Sequence, residues 1–175
     1  MPRKVVLFIA ESLDGYIATK EDDLEWLINT EGEGDNGYSE FYDTIDTIIM
    51  GRRTYDWIVS HEGDNFPYEG KQCYVLSGSR QGIDENVEYV NGDITEFMQK
   101  LKQEEGKDIW IVGGGSMLHE FIEKRLVDEW IITVTPTILG DGIPLFKKHD
   151  FETRLRLKGA RTFNQFTELH YETVH

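Results

Sequence analysis

The sequence predicts an α/β fold: a largely parallel sheet with helices on both faces and antiparallel strands at one edge. Three observations predict it. Short, apolar, β-branched runs recur through the first two-thirds of the chain, separated by amphipathic or polar stretches, the pattern of βαβ crossovers. Several of these runs end in glycine, serine or arginine rather than in a hairpin turn. After Leu126 the style changes to alternating strands with no helix between them, which places antiparallel strands at the end of the sheet. No repeat, low-complexity segment or linker divides residues 1–175, so one domain is expected.

The elements follow in order. KVVLFIA, residues 4–10, is short and apolar throughout, as a strand buried on both faces must be. A short helical stretch is expected at Leu24 and Trp26–Ile28, and another over 38–45. TIIM, 47–50, reads as a second buried strand, followed by a helix over Thr54–Ser60 that Thr54 could cap. CYVLS, 73–77, is a third strand and 87–90 a fourth. Asp93 opens the clearest helix: Asp93 and Glu96 have capping-box spacing, and Ile94, Phe97, Met98 and Leu101 fall on one face. IWIV, 109–112, is the next strand, and Ser116 could cap a helix whose apolar face is Leu118, Phe121 and Ile122. EWIITVTP alternates Trp130, Ile132 and Val134 against Ile131, Thr133 and Thr135, and residues 154–159 and 166–174 complete the strands.

Composition narrows the function. With 39% apolar and 12% aromatic residues in 175, the chain can bury an ordinary core. No run approaches the roughly 18 apolar residues of a membrane span. The apolar start is broken by Glu11 and Asp14 before any cleavage site, so a cytoplasmic protein is expected. The net charge of −15 argues against nucleic acid and anionic membranes as partners. Cys73, the single cysteine, lies in an apolar run and reads as a buried structural thiol. HEFIE, 119–123, ends in Glu123 where a zinc-protease helix needs histidine, so no metal site is expected. There is no G-x-S-x-G elbow.

Against that acidic field, three strand-to-helix junctions carry phosphate-suited chemistry. MGRRTYD, 50–56, offers Gly51 for close approach, Arg52 and Arg53 as guanidinium forks, and the Thr54 hydroxyl. VLSGSR, 75–80, carries Ser77, Ser79 and Arg80 at a strand end. IWIVGGGSMLHEFI, 109–122, puts Gly113, Gly114, Gly115 and Ser116 where a helix begins, and the N–H groups of a first helical turn attract anions. The spacing matches neither the common dinucleotide fingerprint nor a P-loop. In an open α/β sheet these junctions share one edge. Three phosphate-suited places suit an elongated anion with a diphosphate and one further phosphate, which favours NADPH over NADH.

Taken together, SLDGYIA, MGRRTYD, VLSGSR, IVGGGSML and LVDEWIITVTPTILGDGIPLF resemble, in order, the dihydrofolate reductase-like superfamily. More narrowly, they resemble the reductase domain of bacterial riboflavin biosynthesis, the RibD C-terminal domain family. The resemblance implies a dihydrofolate reductase-like three-layer sandwich, NADPH as cofactor, and reduction of a small nitrogen heterocycle, either a ribosylaminopyrimidine or a pterin. It implies that Gly51, Arg52, Arg53 and Thr54 meet the cofactor phosphates. Leu76, Ser77 and Arg80 would surround the adenosine and its 2′-phosphate, and Gly113, Gly114, Gly115 and Ser116 would cradle the diphosphate. For proton handling it offers Asp14, in the turn after the first strand, and Glu40, with Asp35 and Asp43 as alternatives on the same stretch. Ser12, Tyr38 and Phe41 are candidates for the substrate, with Tyr42 a further aromatic. Family members often form homodimers, and EWIITVTPTIL on an antiparallel edge could pair with a second copy; a strand of the same chain covering that edge is the competing arrangement.

Two positions depart from the riboflavin reductases. Tyr16 stands where a basic residue often follows SLDG, and Val112 where an acidic residue often precedes the glycines. Both changes remove groups suited to a ribose phosphate. Two further readings therefore stand beside the reductase: a non-catalytic protein that binds NADP(H) or a pterin, and a phosphate-binding domain with no nicotinamide role.

Overall fold

The computed structural model describes residues 2–175. Its elements in chain order are β1 (Val5–Glu11), β2 (Tyr16–Ala18), α1 (Glu25–Ile28), α2 (Tyr38–Tyr42), β3 (Ile45–Gly51), α3 (Arg52–Glu62), β4 (Gln72–Leu76) and β5 (Gly82–Ile83). There follow β6 (Glu88–Val90), α4 (Ile94–Gln103), β7 (Asp108–Gly113), α5 (Gly115–Glu123), β8 (Glu129–Val134), β9 (Ile143–Pro144), β10 (Leu155–Phe163) and β11 (Phe166–Thr173). Nine strands form one sheet, ordered β10-β11-β8-β1-β7-β3-β4-β6-β5, and β2 pairs with β9 in a separate ribbon. From β8 through β6 the neighbours run parallel; β11 and β10 add antiparallel at one edge.

The central strands are apolar throughout because both sheet faces are covered. On one face Val5, Leu7, Ile109 and Ile111 pack under α4 and α5, which contribute Met98, Leu101, Leu118 and Phe121. On the other, Val6, Ile48, Met50 and Trp110 pack under α2 and α3, with Phe41, Tyr55 and Ile58. Each such side chain fully buried stabilises the fold by about 1.5–3 kcal/mol. Cys73 lies in the second layer, 1% exposed, and burial pushes its thiol up to about 12, so it packs rather than reacts.

Most predicted elements form, and the differences have local causes. Asp93 caps α4, its carboxylate accepting from the Thr95 N–H at 2.8 Å. Thr54 and Ser116 are not caps: α3 and α5 begin earlier, with Gly51 and Gly114 as N-caps and no side chain satisfying the first turn. The helix expected over 38–45 stops at Tyr42, where the Thr44 hydroxyl donates to the Phe41 carbonyl and Ile45 enters the sheet. For EWIITVTPTIL two arrangements were open, an edge that a second copy could pair with and an edge covered by this chain, and its strand EWIITV takes the second. It lies inside the sheet, between β1 and β11, and both its sides are occupied by this chain. That position also buries Glu129 and Thr133.

Candidate functional site

Parallel strands point their carboxyl ends, and the helices that follow them, to one side of the sheet. Here that side is a cleft of about 1010 Å³. Register sets the three predicted turns side by side: β3 lies between β7 and β4, with Met50 opposite Gly113 and Gly51 opposite Leu76. Gly51, Arg52, Arg53 and Thr54 line the cleft from one turn, Leu76 and Ser77 from the second, and Gly114, Gly115 and Ser116 from the third. The Ser77 oxygen also accepts from the Arg80 N–H at 3.0 Å, which fixes its turn.

The glycines there serve different ends. Gly113 has φ +123°, a conformation that side chains rarely adopt. A Cβ on Gly115 would sit 3.1 Å from the Pro144 carbonyl oxygen, a tight contact that would require the backbone there to give way by a few tenths of an ångström. Gly51 and Gly114 meet neither constraint: their φ values are −79° and −81°, and an added Cβ would make only ordinary contacts of 3.8 and 3.5 Å. Both are N-caps of helices that open onto the cleft. Serine, aspartate or asparagine is favoured at that position because it satisfies the free N–H groups. Neither α3 nor α5 has an acidic residue in its first turn. Two helix N-termini thus present unpaired donors and positive potential to one cavity.

The cations divide sharply. Arg53 is tied to Asp22 at 3.2 Å, and Arg80 is forked onto Asp56 at 2.7 and 3.0 Å. Arg80 does not line the cleft, although it was expected around the adenosine. Arg52 makes no side-chain hydrogen bond or ion pair among the described residues. Lys147, which the sequence reading overlooked, also lines the cleft, and its Nζ donates to Ser116 Oγ at 2.6 Å. It lies 31 residues from Ser116, just past the segment ending at Phe146 that carries the family resemblance, and no local pattern links the two.

The expected proton-handling groups lie elsewhere. Asp14 accepts from the Ser12 hydroxyl at 2.6 Å and from the N–H groups of Leu139 and Gly140 at 3.1 and 2.8 Å. These hydrogen bonds, Ser12's foremost, hold its carboxyl below the usual range and make it a clasp between two loops. Ser12 is fully buried in the same clasp, donating to Asp14 and accepting from the Tyr16 N–H at 2.9 Å. Glu40 pairs with Arg161 at 3.1 Å beside a second groove, away from the cleft. Asp35 lies in the turn before α2, accepting from the Gly37 and Ser39 N–H groups at 3.1 and 2.9 Å. Phe41 is buried and stacked on Phe8, ring centres 4.1 Å apart, and Tyr38 tilts against the same ring. None of Asp14, Glu40, Ser12, Tyr38 or Phe41 lines the cleft.

What lines the cleft beyond the turns is mainly apolar. Ala10 at the end of β1, Ile17 on β2, Val112 on β7, and Leu24 and Leu27 around α1 form a wall suited to a flat ring. Glu11, at the end of β1, is half-buried with no side-chain partner among the described residues, and burial raises its pKa to about 6. Among the described residues no helix is long and apolar enough to cross a membrane.

Comparison with known proteins agrees with this architecture. The chain is 50% identical over 172 residues to the uncharacterized protein YwjB of Bacillus subtilis (strain 168), covering 98% of both chains. A Shewanella sp. PV-4 crystal structure named for riboflavin biosynthesis superposes over the whole of both chains with a TM-score of 0.89 and 29% identity. Dihydrofolate reductase from Enterococcus faecalis, solved with NADP(H), shares the fold at a TM-score of 0.66 and 16% identity, over 98% of this chain and 97% of its own. The RibD C-terminal domain pattern matches residues 3–168. With its mostly parallel sheet and antiparallel C-terminal strands, this chain belongs to the RibD C-terminal domain family and has the reductase-like fold that family shares with dihydrofolate reductases.

Proposed function

We propose that this chain is an NADPH-dependent reductase that delivers hydride to a small, flat nitrogen heterocycle. The observation that carries the reading is the convergence of three turns on one cleft, two of them glycine-capped helix starts with unpaired N–H donors. The glycines support the fit. Gly51 has an ordinary backbone conformation, and an added Cβ there would meet nothing closer than 3.8 Å, so close approach of a ligand would give its small size a physical reason. Arg52 has a free guanidinium fork suited to the extra phosphate that separates NADPH from NADH. The Enterococcus dihydrofolate reductase, which carries NADP(H), supports the same choice of cofactor.

NADPH, when bound, supplies the hydride. The residues of this chain do the rest. The first-turn amides of α3 and α5 orient the phosphates, and Arg52 fixes one end of the molecule. Ala10, Ile17 and Val112 would give the nicotinamide an apolar seat, and Leu24 and Leu27, which line the same cleft, would help to exclude water. Val112 offers no polar group to a ribose phosphate, so a neutral pterin-like or pyrimidine ring suits the cleft better than a phosphoribosylated one. Asp14 and Glu40 are engaged elsewhere and neither lines the cleft, so neither would hand the substrate its proton.

That same engagement favours a second reading, a protein that binds NADPH without turnover. Two measurements decide. NADPH binding tighter than NADH is expected by titration, with the preference lost in Arg52→Ala; equal affinities for both would sink the cofactor assignment. Oxidation of NADPH with a panel of pterins and pyrimidines is expected for a reductase, and tight binding without oxidation across the panel supports the second reading.

A further inference from the structure

Lys147 stands in the cleft without a counter-ion. It follows β9, and its path is fixed at several points. β9 pairs with β2, the Leu145 N–H donates to the Gly15 carbonyl at 2.9 Å, and the Leu145 side chain is 1% exposed. The Pro144 carbonyl packs against the face of Gly115. These contacts deliver Lys147 to the first turn of α5, where its ammonium donates to Ser116 Oγ.

No carboxylate answers that charge. Glu120, one turn along α5 and also in the cleft, is bound to Lys124 at 3.0 Å, and among the described residues Lys147 forms no ion pair. Its position is unfavourable by itself. A helix N-terminus carries partial positive charge and repels a cation, and α5 has neither a side-chain cap nor an acid in its first turn to offset this. In a chain with 33 carboxylates and net charge −15, an unneutralised ammonium at an unpaired helix start is a site of concentrated positive potential. An anion bridging Lys147 and the α5 amides resolves the conflict.

Resting on the NADPH reading, we infer that Lys147 is a ligand of the cofactor's diphosphate. The ammonium is a compact charge on a flexible stem. It turns from Ser116 Oγ to a phosphate oxygen, and the freed Ser116 hydroxyl donates to the same group. Arg52, on the neighbouring helix start, serves the phosphate on the adenosine ribose, so the two cations divide the ligand between them.

The test uses the purified full chain and two probes, NADPH and adenosine 2′-phosphate, which lacks the diphosphate. Lys147→Ala is expected to weaken NADPH about tenfold while leaving adenosine 2′-phosphate unchanged. Lys147→Arg should stay within about threefold of the wild type, since it keeps the charge, and Lys148→Ala, at the exposed next position, should change nothing. The salt dependence of NADPH binding should also be shallower in Lys147→Ala, one phosphate contact fewer being screened. Unchanged NADPH affinity in Lys147→Ala overturns the inference alone. So does an equal loss for both probes, which would mean that Lys147 shapes the cleft rather than touching the diphosphate. A wild-type chain that binds no NADPH overturns the cofactor reading and this inference with it.

Discussion

Charged side chains crowd both the cleft and the face formed by β8, β11 and β10, but on that face the cations are paired, and one buried oxygen, Glu168 Oε2, is left without a partner among the described residues. There Glu129, 8% exposed, accepts from Lys4, Lys158 and His170 at 2.9, 2.8 and 2.9 Å. Arg161 bridges Glu40 and Glu168, and Arg156 pairs with Glu172. In the cleft Arg53 is paired in the same way, as is Arg80 outside it, while among the described residues Arg52, Lys147 and two helix N-termini are not. A charge satisfied by its own chain supports the fold; one placed against its local field and left open is available to a ligand. By that criterion arginines that look alike in sequence part company: Arg80 is structural, Arg52 is the binding candidate.

The contrast can be broken most decisively at Arg52. Arg52→Ala should lose about 2 kcal/mol of NADPH binding, the scale of a charge-assisted hydrogen bond, with little change in melting temperature. Arg161→Ala should do the reverse. If Arg161→Ala also weakened NADPH, the two regions would not be separate in function.

Glu129→Gln comes next and should cost about 1–3 kcal/mol of stability at neutral pH, because three donors lose their charged acceptor. Burial opposes ionisation of Glu129, but hydrogen bonds from Lys158, Lys4 and His170 outweigh it and hold its pKa near 2, against 4.5 as the ordinary value. A folded-state pKa below the unfolded one stabilises above the unfolded value and ceases to do so as pH falls. The gap between wild type and Glu129→Gln should therefore be full above about pH 4.5 and close as pH falls towards 2, read by denaturant melts.

The glycines sharpen the comparison within the cleft. Gly115→Ala forces the Pro144 carbonyl to move and should cost about 1–2 kcal/mol of stability. Gly51→Ala makes only ordinary contacts, the nearest at 3.8 Å, and should leave the melting temperature almost unchanged while weakening NADPH. Loss of stability in Gly51→Ala with intact binding would reverse their assigned roles.

The smallest effect belongs to Glu11. Burial raises its pKa from 4.5 to about 6, so its charged form is disfavoured in the fold. Its penalty is absent below pH 4.5, where both states are protonated, and complete above pH 6. Glu11→Gln should thus be more stable than the wild type by about 1 kcal/mol at pH 7 and indistinguishable from it below pH 4.5.

Much of the fold was legible because the βαβ pattern leaves strong local traces. An uninterrupted VVLFIA run can be soluble only if buried on both faces, and Asp93 with its following apolar stripe specifies a helix by short-range bonding alone. The two uncapped helices were misread at their starts because Thr54 and Ser116 have capping chemistry, whereas the glycines that do the capping carry no side-chain signal. The place of EWIITV could not be read either, since alternation reports how many faces are buried and not which strand lies alongside.

The chain's own order of residues determined the layered α/β architecture, the apolar strands, and the three turns with anion-suited chemistry, because each depends on neighbours a few positions apart. Tertiary structure decided that β8 is interior, that Asp14 and Glu40 are engaged away from the cleft, and that Lys147 reaches Ser116 across 31 residues. Those outcomes depend on which charges and carbonyls meet after the sheet closes, and the pairing of distant groups leaves no periodic trace in the sequence that encodes it.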